Sequence, residues 1–237
     1  MTRPVVRIAR GTLAGAFFLA HGAICILSFP LFLCFAWSKR LVRALVRFYC
    51  RCLMFMLAAC GLVRTRFSRP VADVHGRIVV MNHLSLLDVL VLLAYLPDST
   101  CVAKAAAMRN PFLATAVRLV FLSNENDPVK TVRMASRLLA GGVNVIVFPE
   151  GTRTPKDSRS RKMHRGAARI ALASGARILP MHLELDPPVF AKGQSLVDAG
   201  DRTIWYNIEV RDEIAPKGPS NRRGAMILTD KIKEAIL

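Results

Sequence analysis

The chain has 237 residues, enough for one large domain or a domain with an appendage, and 53% of them are hydrophobic, which points to a membrane segment beside a folded core. Thirty-four Lys and Arg against 16 Asp and Glu leave a net charge of +18, so an anionic partner is expected: nucleic acid, anionic lipid, or an acidic protein or cofactor. Five of the six cysteines (Cys25, Cys34, Cys50, Cys52 and Cys60) lie in the first quarter and none forms a CxxC pair, which argues against a disulfide scaffold and for a catalytic part in a reducing compartment.

Gly11 to Trp37 runs 27 residues without a Lys, Arg, Asp or Glu. That exceeds the ~20 residues that span a bilayer, with Pro30 expected to kink the span. A signal peptide would share the basic start at Arg3, Arg7 and Arg10, but its apolar stretch is only ~7–15 residues and ends in a small-residue cleavage site. Next, Lys39, Arg43, Arg47 and Arg51 recur every four residues, near one stripe of a helix. This is either a solvated basic face or an amphipathic helix lying on an anionic membrane surface, the reading that the neighbouring apolar run favours. Positive charge on both sides of the run fits a C-terminal side in the cytoplasm, or a hairpin with both ends there. Residues 1–66 are therefore expected to be membrane-associated helices and residues 67–237 an α/β domain.

From about residue 70 strands and helices alternate. "RIVVM" reads as a buried strand, Ser85 to Leu96 as a helix, "TCVAK" as a short strand and "NPFLATAVRLVF" as a helix. After the loop "SNENDP", Pro128 suits the first turn of a helix that ends at Gly141-Gly142. "VNVIVF" is the clearest strand, followed by a charged loop, the helix "HRGAARIALASG", the strands "RILPMHLEL" and "TIWYNIEV", and a closing helix from Asn221. This alternation predicts an α/β fold, a sheet flanked by helices.

Two polar stretches interrupt the apolar pattern. In "MNHLSLLDVL", His83 and Asp88 are five apart, roughly 140° around one helix, so they meet only if His83 lies in the strand-to-helix turn and Asp88 points back from the helix start. A carboxylate on one ring nitrogen then leaves the other free to take a proton. A histidine that merely caps the turn fits the same stretch. In "FPEGTR", Phe148 to Arg153, a strand end carries a carboxylate, a flexible backbone and a guanidinium suited to phosphate. A surface ion pair of Glu150 with Arg153 is the plainer possibility.

Together these stretches resemble the glycerolipid acyltransferase family, the lysophosphatidic-acid and glycerol-3-phosphate acyltransferases. The family's Asn-His-x4-Asp box is matched by Asn82, His83 and Asp88, and its Phe-Pro-Glu-Gly-Thr-Arg box by Phe148 to Arg153. Lys104, Pro111, Phe121 and Pro180 match two further boxes in spacing, but "FLSN" stands where the family has Phe-Ile-Asp-Arg, so Asn124 replaces a substrate-binding Arg. "SNENDP" and "LDPPVFAKG" are also similar to a bacterial branch associated with aryl-polyene lipid pathways. The likeness covers about residues 75 to 190.

The resemblance implies a mixed sheet flanked by helices and acyl transfer from a thioester to a lipid hydroxyl. His83 would be the general base and Asp88 its partner; Asn82, Lys104, Asn124, Phe148, Pro149, Glu150, Gly151, Thr152 and Arg153 would bind substrate. Backbone amides near Gly151 are candidate oxyanion donors. The resemblance calls for neither a metal nor a cofactor, only acyl-CoA or acyl carrier protein as co-substrate and a lysophospholipid or other hydroxyl lipid as acceptor. The protein would work on anionic lipid at the cytoplasmic face of the inner membrane. The loop "KDSRSRK" with Arg165 would bind the polyanionic donor or membrane phosphates, or simply be solvated.

Two rivals have different chemistry. A serine lipid hydrolase would use Ser85 with His83, but no G-x-S-x-G elbow frames Ser85, which reads better as a helix N-cap. A non-enzymatic basic module would bind anionic lipid or nucleic acid; the basic residues lack the aromatic interleaving of nucleic-acid binders, and both boxes stay unexplained.

Overall fold

The computed structural model describes residues 3–103, 120–123, 127–153, 162–188 and 201–237. The expected elements at residues 104–119, and the sites at Lys104, Pro111 and Asn124, lie outside them, as do half of "SNENDP" (124–126), most of "LDPPVFAKG" (189–193) and most of the loop "KDSRSRK" (156–161).

The N-terminal part is helical: α1 (Arg3–Leu27), α2 (Phe29–Cys34) and α3 (Lys39–Ala59). The expected continuous span from Gly11 to Trp37 is divided at Ser28. Pro30 falls in the first turn of α2, where its missing N–H is tolerated, so it begins a new helix rather than kinking an old one. Among the described residues no helix is long and apolar enough to cross a membrane.

The basic stripe of α3 is also divided. A four-residue repeat drifts about 40° per step around a helix, so its members do not share one environment. Lys39 and Arg51 are exposed, whereas Arg43 is buried in an ion pair with Asp98. Arg47 donates to the carbonyl of Tyr95 at 3.3 Å. The buried face of α3 (Val42, Val46, Cys50, Leu53, Met54 and Leu57) packs against α4 (Asp88–Tyr95). Apolar spacing put Val42 inside, and Arg43 goes in beside it because Asp98 is there to meet it.

A seven-stranded sheet follows: β1 (Val63–Phe67), β2 (Ile78–Met81), β3 (Ser99–Ala103), β4 (Leu122–Ser123), β5 (Asn144–Val147), β6 (Ile178–Asp186) and β7 (Ile204–Val210). Their order is β1-β7-β6-β2-β5-β3-β4. All neighbours are parallel except β6 and β7, which makes the sheet mixed, as expected. The helices expected as far as residue 66 stop at Ala59. Gly61, at φ +65°, turns the chain, and "VRTRF" becomes an edge strand. Exposed Arg64 and Arg66 suit an edge, where charge discourages further pairing.

Helices cover both faces. On one side lie α3 and α4 over Val79, Met81, Leu183 and Ile208; on the other, α5 (Pro128–Ala140), α6 (Gly166–Ser174) and α7 (Arg222–Ile236) cover Ile78, Val80 and Val145. The Pro128 signal is met in full: Asp127 caps α5 by accepting from Val129 and Lys130 at 2.9 and 3.0 Å, and Gly141 ends it. The central strands β2 and β5 are buried along their whole length. Both polar stretches leave the sheet at the C-terminal ends of this adjacent pair, where open α/β sheets carry their chemistry.

Candidate active site

The site begins where β2 stops pairing through its backbone. Asn82 donates from Nδ2 to the carbonyl of Leu183 at 2.9 Å and accepts the Leu183 amide on Oδ1 at 2.6 Å. Its side chain thus imitates a peptide unit and carries the β2–β6 ladder one step past Met81. Asn82 is buried with both polar groups engaged, which anchors the turn that follows. The family likeness put Asn82 among the substrate-binding residues; in the structure its amide faces Leu183.

His83 sits in that turn, as the five-residue spacing requires. Its Nδ1 lies 2.8 Å from Oδ2 of Asp88, the first residue of α4. The same oxygen accepts the backbone amides of Leu84 and Ser85 at 2.8 and 2.9 Å. The expected helix start at Ser85 is thereby displaced to Asp88: residues 85–87 form a turn held by the carboxylate, and Ser85 Oγ accepts the Leu87 amide at 3.3 Å. Ser85 is fully buried, which removes it as a nucleophile for an incoming lipid.

Asp88 has no solvent exposure and His83 has 17%. Burial raises the Asp88 pKa, while the hydrogen bond and charge of His83 and the two amides work the other way. With Nδ1 bonded to the carboxylate, Nε2 is the ring nitrogen left for proton transfer. A buried carboxylate that orients an imidazole and stabilises its protonated form is the arrangement of a general-base pair.

The second stretch closes over the first. Phe148 stacks on the His83 ring at 4.3 Å between centroids and 29° between planes. Glu150 is buried and accepts the His83 backbone amide on Oε1 at 3.2 Å. The two boxes, 67 residues apart in this contact, are therefore one unit, and Glu150 holds the histidine turn. Gly151, at φ +65°, donates its amide to the carbonyl of Phe148 at 3.0 Å. That amide closes the turn. Pro149 is buried and accepts from the His164 amide at 2.7 Å; Thr152 is exposed and Arg153 half-buried at the rim.

One further polar residue escaped the sequence reading. Tyr206 of β7 is fully buried, with its hydroxyl beside Ser85 and within reach of the Asp88 charge. Its signal was a lone Tyr among the inward positions Ile204, Ile208 and Val210 of an alternating strand.

The site is thus an α/β sheet carrying a buried His-Asp pair at the end of a central strand. A sequence-family model described as Acyltransferase matches residues 63–184, just over half the chain and the whole of this site. The chain belongs to that family. It is 30% identical over 117 residues to a 1-acyl-sn-glycerol-3-phosphate acyltransferase of Helicobacter pylori, covering 47% of this chain and 49% of that protein. It is 31% identical over 111 residues to the chloroplastic enzyme LPAT1 of Arabidopsis thaliana, covering 45% and 31%. The aligned stretches thus span about half or less of these relatives. The crystal structure of the 1-acyl-sn-glycerophosphate (LPA) acyltransferase PlsC from Thermotoga maritima shares the fold, with TM-score 0.71 and 20% identity over 97% of this chain and 95% of that one.

Proposed function

We propose that this protein transfers a fatty acyl group from a thioester donor, acyl-CoA or acyl carrier protein, to a hydroxyl of a lysophospholipid such as lysophosphatidic acid. The observation that carries this reading is the 2.8 Å contact of His83 Nδ1 with the buried Asp88 carboxylate, in a chain of the acyltransferase family. Named relatives that act on 1-acyl-sn-glycerol-3-phosphate support the acceptor.

In the proposed step, His83 Nε2 takes the proton of the acceptor hydroxyl as that oxygen attacks the thioester carbonyl. The carbon–sulfur bond breaks, the imidazolium returns its proton to the departing thiolate, and an ester and a free thiol remain. Asp88 holds the ring and stabilises the imidazolium. No side chain becomes acylated, because the thioester is already activated. Arg153 at the rim is the guanidinium suited to the acceptor's phosphate.

The protein would work from the surface of an anionic membrane at its cytoplasmic face. Apolar side chains exposed on α1 to α3 and in the turn before α3, among them Leu27 (79%), Leu33, Trp37 (80%) and Phe55, would enter the lipid, with the exposed Lys39 and Arg51 supplying charge.

A second acceptor class is favoured by one residue. Asn124 brings no charge where the family has Arg. Loss of one guanidinium contact weakens a phosphate-bearing acceptor by roughly 10- to 100-fold. A non-phosphatidate hydroxyl lipid, including an aryl-polyene lipid, would not feel that loss. The test supplies membranes holding the protein with labelled acyl-CoA or acyl carrier protein and with lysophosphatidic acid or a lipid extract. Label should move into lipid. Efficient use of lysophosphatidic acid that N124R leaves unchanged would remove the second class, and no label in any lipid from either donor would remove the acyltransferase reading itself.

A further inference from the structure

The helix layer on the far side of the sheet from α3 and α4 carries charge that neither the fold nor the proposed chemistry uses. Residues 127–140, 162–174 and 221–237, which form or lead into α5, α6 and α7, hold ten Lys and Arg against three Asp and Glu. Nine of the ten are exposed and Arg165 is half-buried. None of them pairs with a carboxylate among the described residues, whereas Arg43, Arg69, Arg77, Arg177, Arg202 and Arg211 elsewhere each do. Met134 on α5, and Met226 and Ile227 on α7, are exposed among these cations, and the three stretches hold no Phe, Tyr or Trp. The layer reaches the catalytic end of the sheet at two points. The His164 amide bonds the Pro149 carbonyl at 2.7 Å, so Arg165 stands between the second box and α6. At the end of α7, the Ile236 carbonyl accepts from His182 Nδ1 at 2.8 Å, one residue from Leu183, whose backbone holds Asn82. Between α6 and α7 is a cavity of about 170 Å³ lined by Met163, Arg165, Met226, Thr229, Asp230 and Lys233.

We infer that the outer face of α5, α6 and α7 is a docking surface for an acyl carrier protein, the acidic protein that would bring the acyl thioester to His83. The inference rests on the acyltransferase reading for that thioester, and it chooses between the two donors. Charge complementarity selects an anionic partner and speeds its encounter. A bilayer is not that partner, because α1 and α3 pack on the opposite face of the sheet. Two helix diameters, about 20 Å, and the sheet itself separate the outer surfaces of the two layers, against a Debye length of about 8 Å. Nucleic acid is disfavoured because the layer has no aromatic side chain on which a base could stack. The phosphates of one coenzyme A would meet only part of a face three helices wide, roughly 30 Å. An acidic protein covers such a face, and its apolar side chains have Met134, Met226 and Ile227 to meet. Asp230 is the one acid in the cavity and is outnumbered there by Arg165 and Lys233. A carrier seated on this face lies beside the strand ends that hold Asn82 and Pro149, so the thioester arm has a short path over the rim.

The experiment compares wild type with the charge reversal R223E/K233E on α7, as the detergent-solubilised full chain. The probe is purified acyl carrier protein with its phosphopantetheine arm attached and a fluorescent label, followed by anisotropy at several salt concentrations. Wild type should bind it, more weakly as salt rises, and the reversal should weaken binding about tenfold or more. In the activity arm, KM for the carrier-borne acyl group should rise to the same extent, while kcat/KM with acyl-CoA stays within about twofold. Carrier binding that the reversal leaves unchanged overturns the inference, as does an equal loss with both donors. Two further probes, anionic vesicles and a short RNA duplex, decide the rival partners: loss of either in R223E/K233E with carrier binding intact gives the face to that partner and overturns the carrier. The anisotropy arm needs no acceptor and no catalysis. A chain that binds carrier through this face but transfers no acyl group would therefore sink the functional reading while supporting this one. If R223E/K233E does not fold, the neutral R223Q/K233Q carries the same readout: a smaller loss with the carrier alone supports the docking face, and none overturns it.

Discussion

Asn82 and Leu183 exchange two hydrogen bonds, side-chain amide to backbone carbonyl and backbone amide to side-chain carbonyl, as two strand residues would. The histidine turn is therefore fastened to β6, 101 residues away, before it reaches His83. Asn82→Ala leaves the Leu183 amide and carbonyl buried without partners and should cost about 2 kcal/mol, from a cost of about 1–3 kcal/mol per unsatisfied group and partial rescue by water. Denaturant midpoints of the two proteins measure this. An unchanged midpoint would mean that the ladder ends at Met81 and the side chain is free to serve a substrate.

His83→Ala should lower acyl transfer by roughly 10²–10⁴-fold, the usual contribution of a general base. Ser85→Ala should keep most of the activity. Its hydroxyl is buried and bonded within the turn, so it has no path to a carbonyl carbon. A trapped acyl-serine at position 85 would restore the hydrolase alternative.

Asp88 gives a pH signature. Burial raises its folded-state pKa, so the folded protein holds the Asp88 proton more tightly than the unfolded chain does. The stability this contributes is fully present below the unfolded value and is lost as pH rises through the folded one. Asp88→Asn removes the ionisation while its amide oxygen can still accept from Leu84 and Ser85. D88N should therefore gain in unfolding temperature relative to wild type as pH rises above about 4, the unfolded carboxylate value, while transfer falls by roughly 10²–10⁴-fold. A difference in melting temperature that is flat across this range would show that the carboxylate is not destabilised by its burial.

The buried ion pair of Arg43 with Asp98 separates folding from lipid binding. Asp98→Ala strands a guanidinium that is only 8% exposed and should cost about 3 kcal/mol, the lower end of the range for one partner lost from a buried pair, because Asp98 itself is 28% exposed. The charge that the stripe leaves exposed for a membrane surface is at Lys39 and Arg51. Trp37→Ser should thus weaken pelleting with anionic vesicles while unfolding stays as in wild type. If D98A releases the protein from vesicles at unchanged stability, and W37S does not release it, the lipid surface has been assigned to the wrong residues.

Much of this protein was legible from local spacing. Strand alternation, Pro128 with Gly141, and the boxes at 82–88 and 148–153 each express a hydrogen-bond or packing rule that acts within a few residues, so they survive without knowledge of the fold. The five-residue gap from His83 to Asp88 even dictated a turn, since one helix could not bring the two together. Tertiary structure decided the rest, because a side chain's partner across the sheet leaves no mark on its neighbours in sequence. Arg43 looked like its fellow stripe members until Asp98 stood opposite it. Val63–Phe67 looked like the end of a helix until β7 offered an edge to pair with. Asn82 and Glu150 looked like ligand contacts by family likeness, and the fold turned both inward, onto the backbone of Leu183 and of His83. A lone inward Tyr on the second strand from the sheet edge was ordinary core by pattern, and only the pairing of β7 with β6 shows it to be wholly buried.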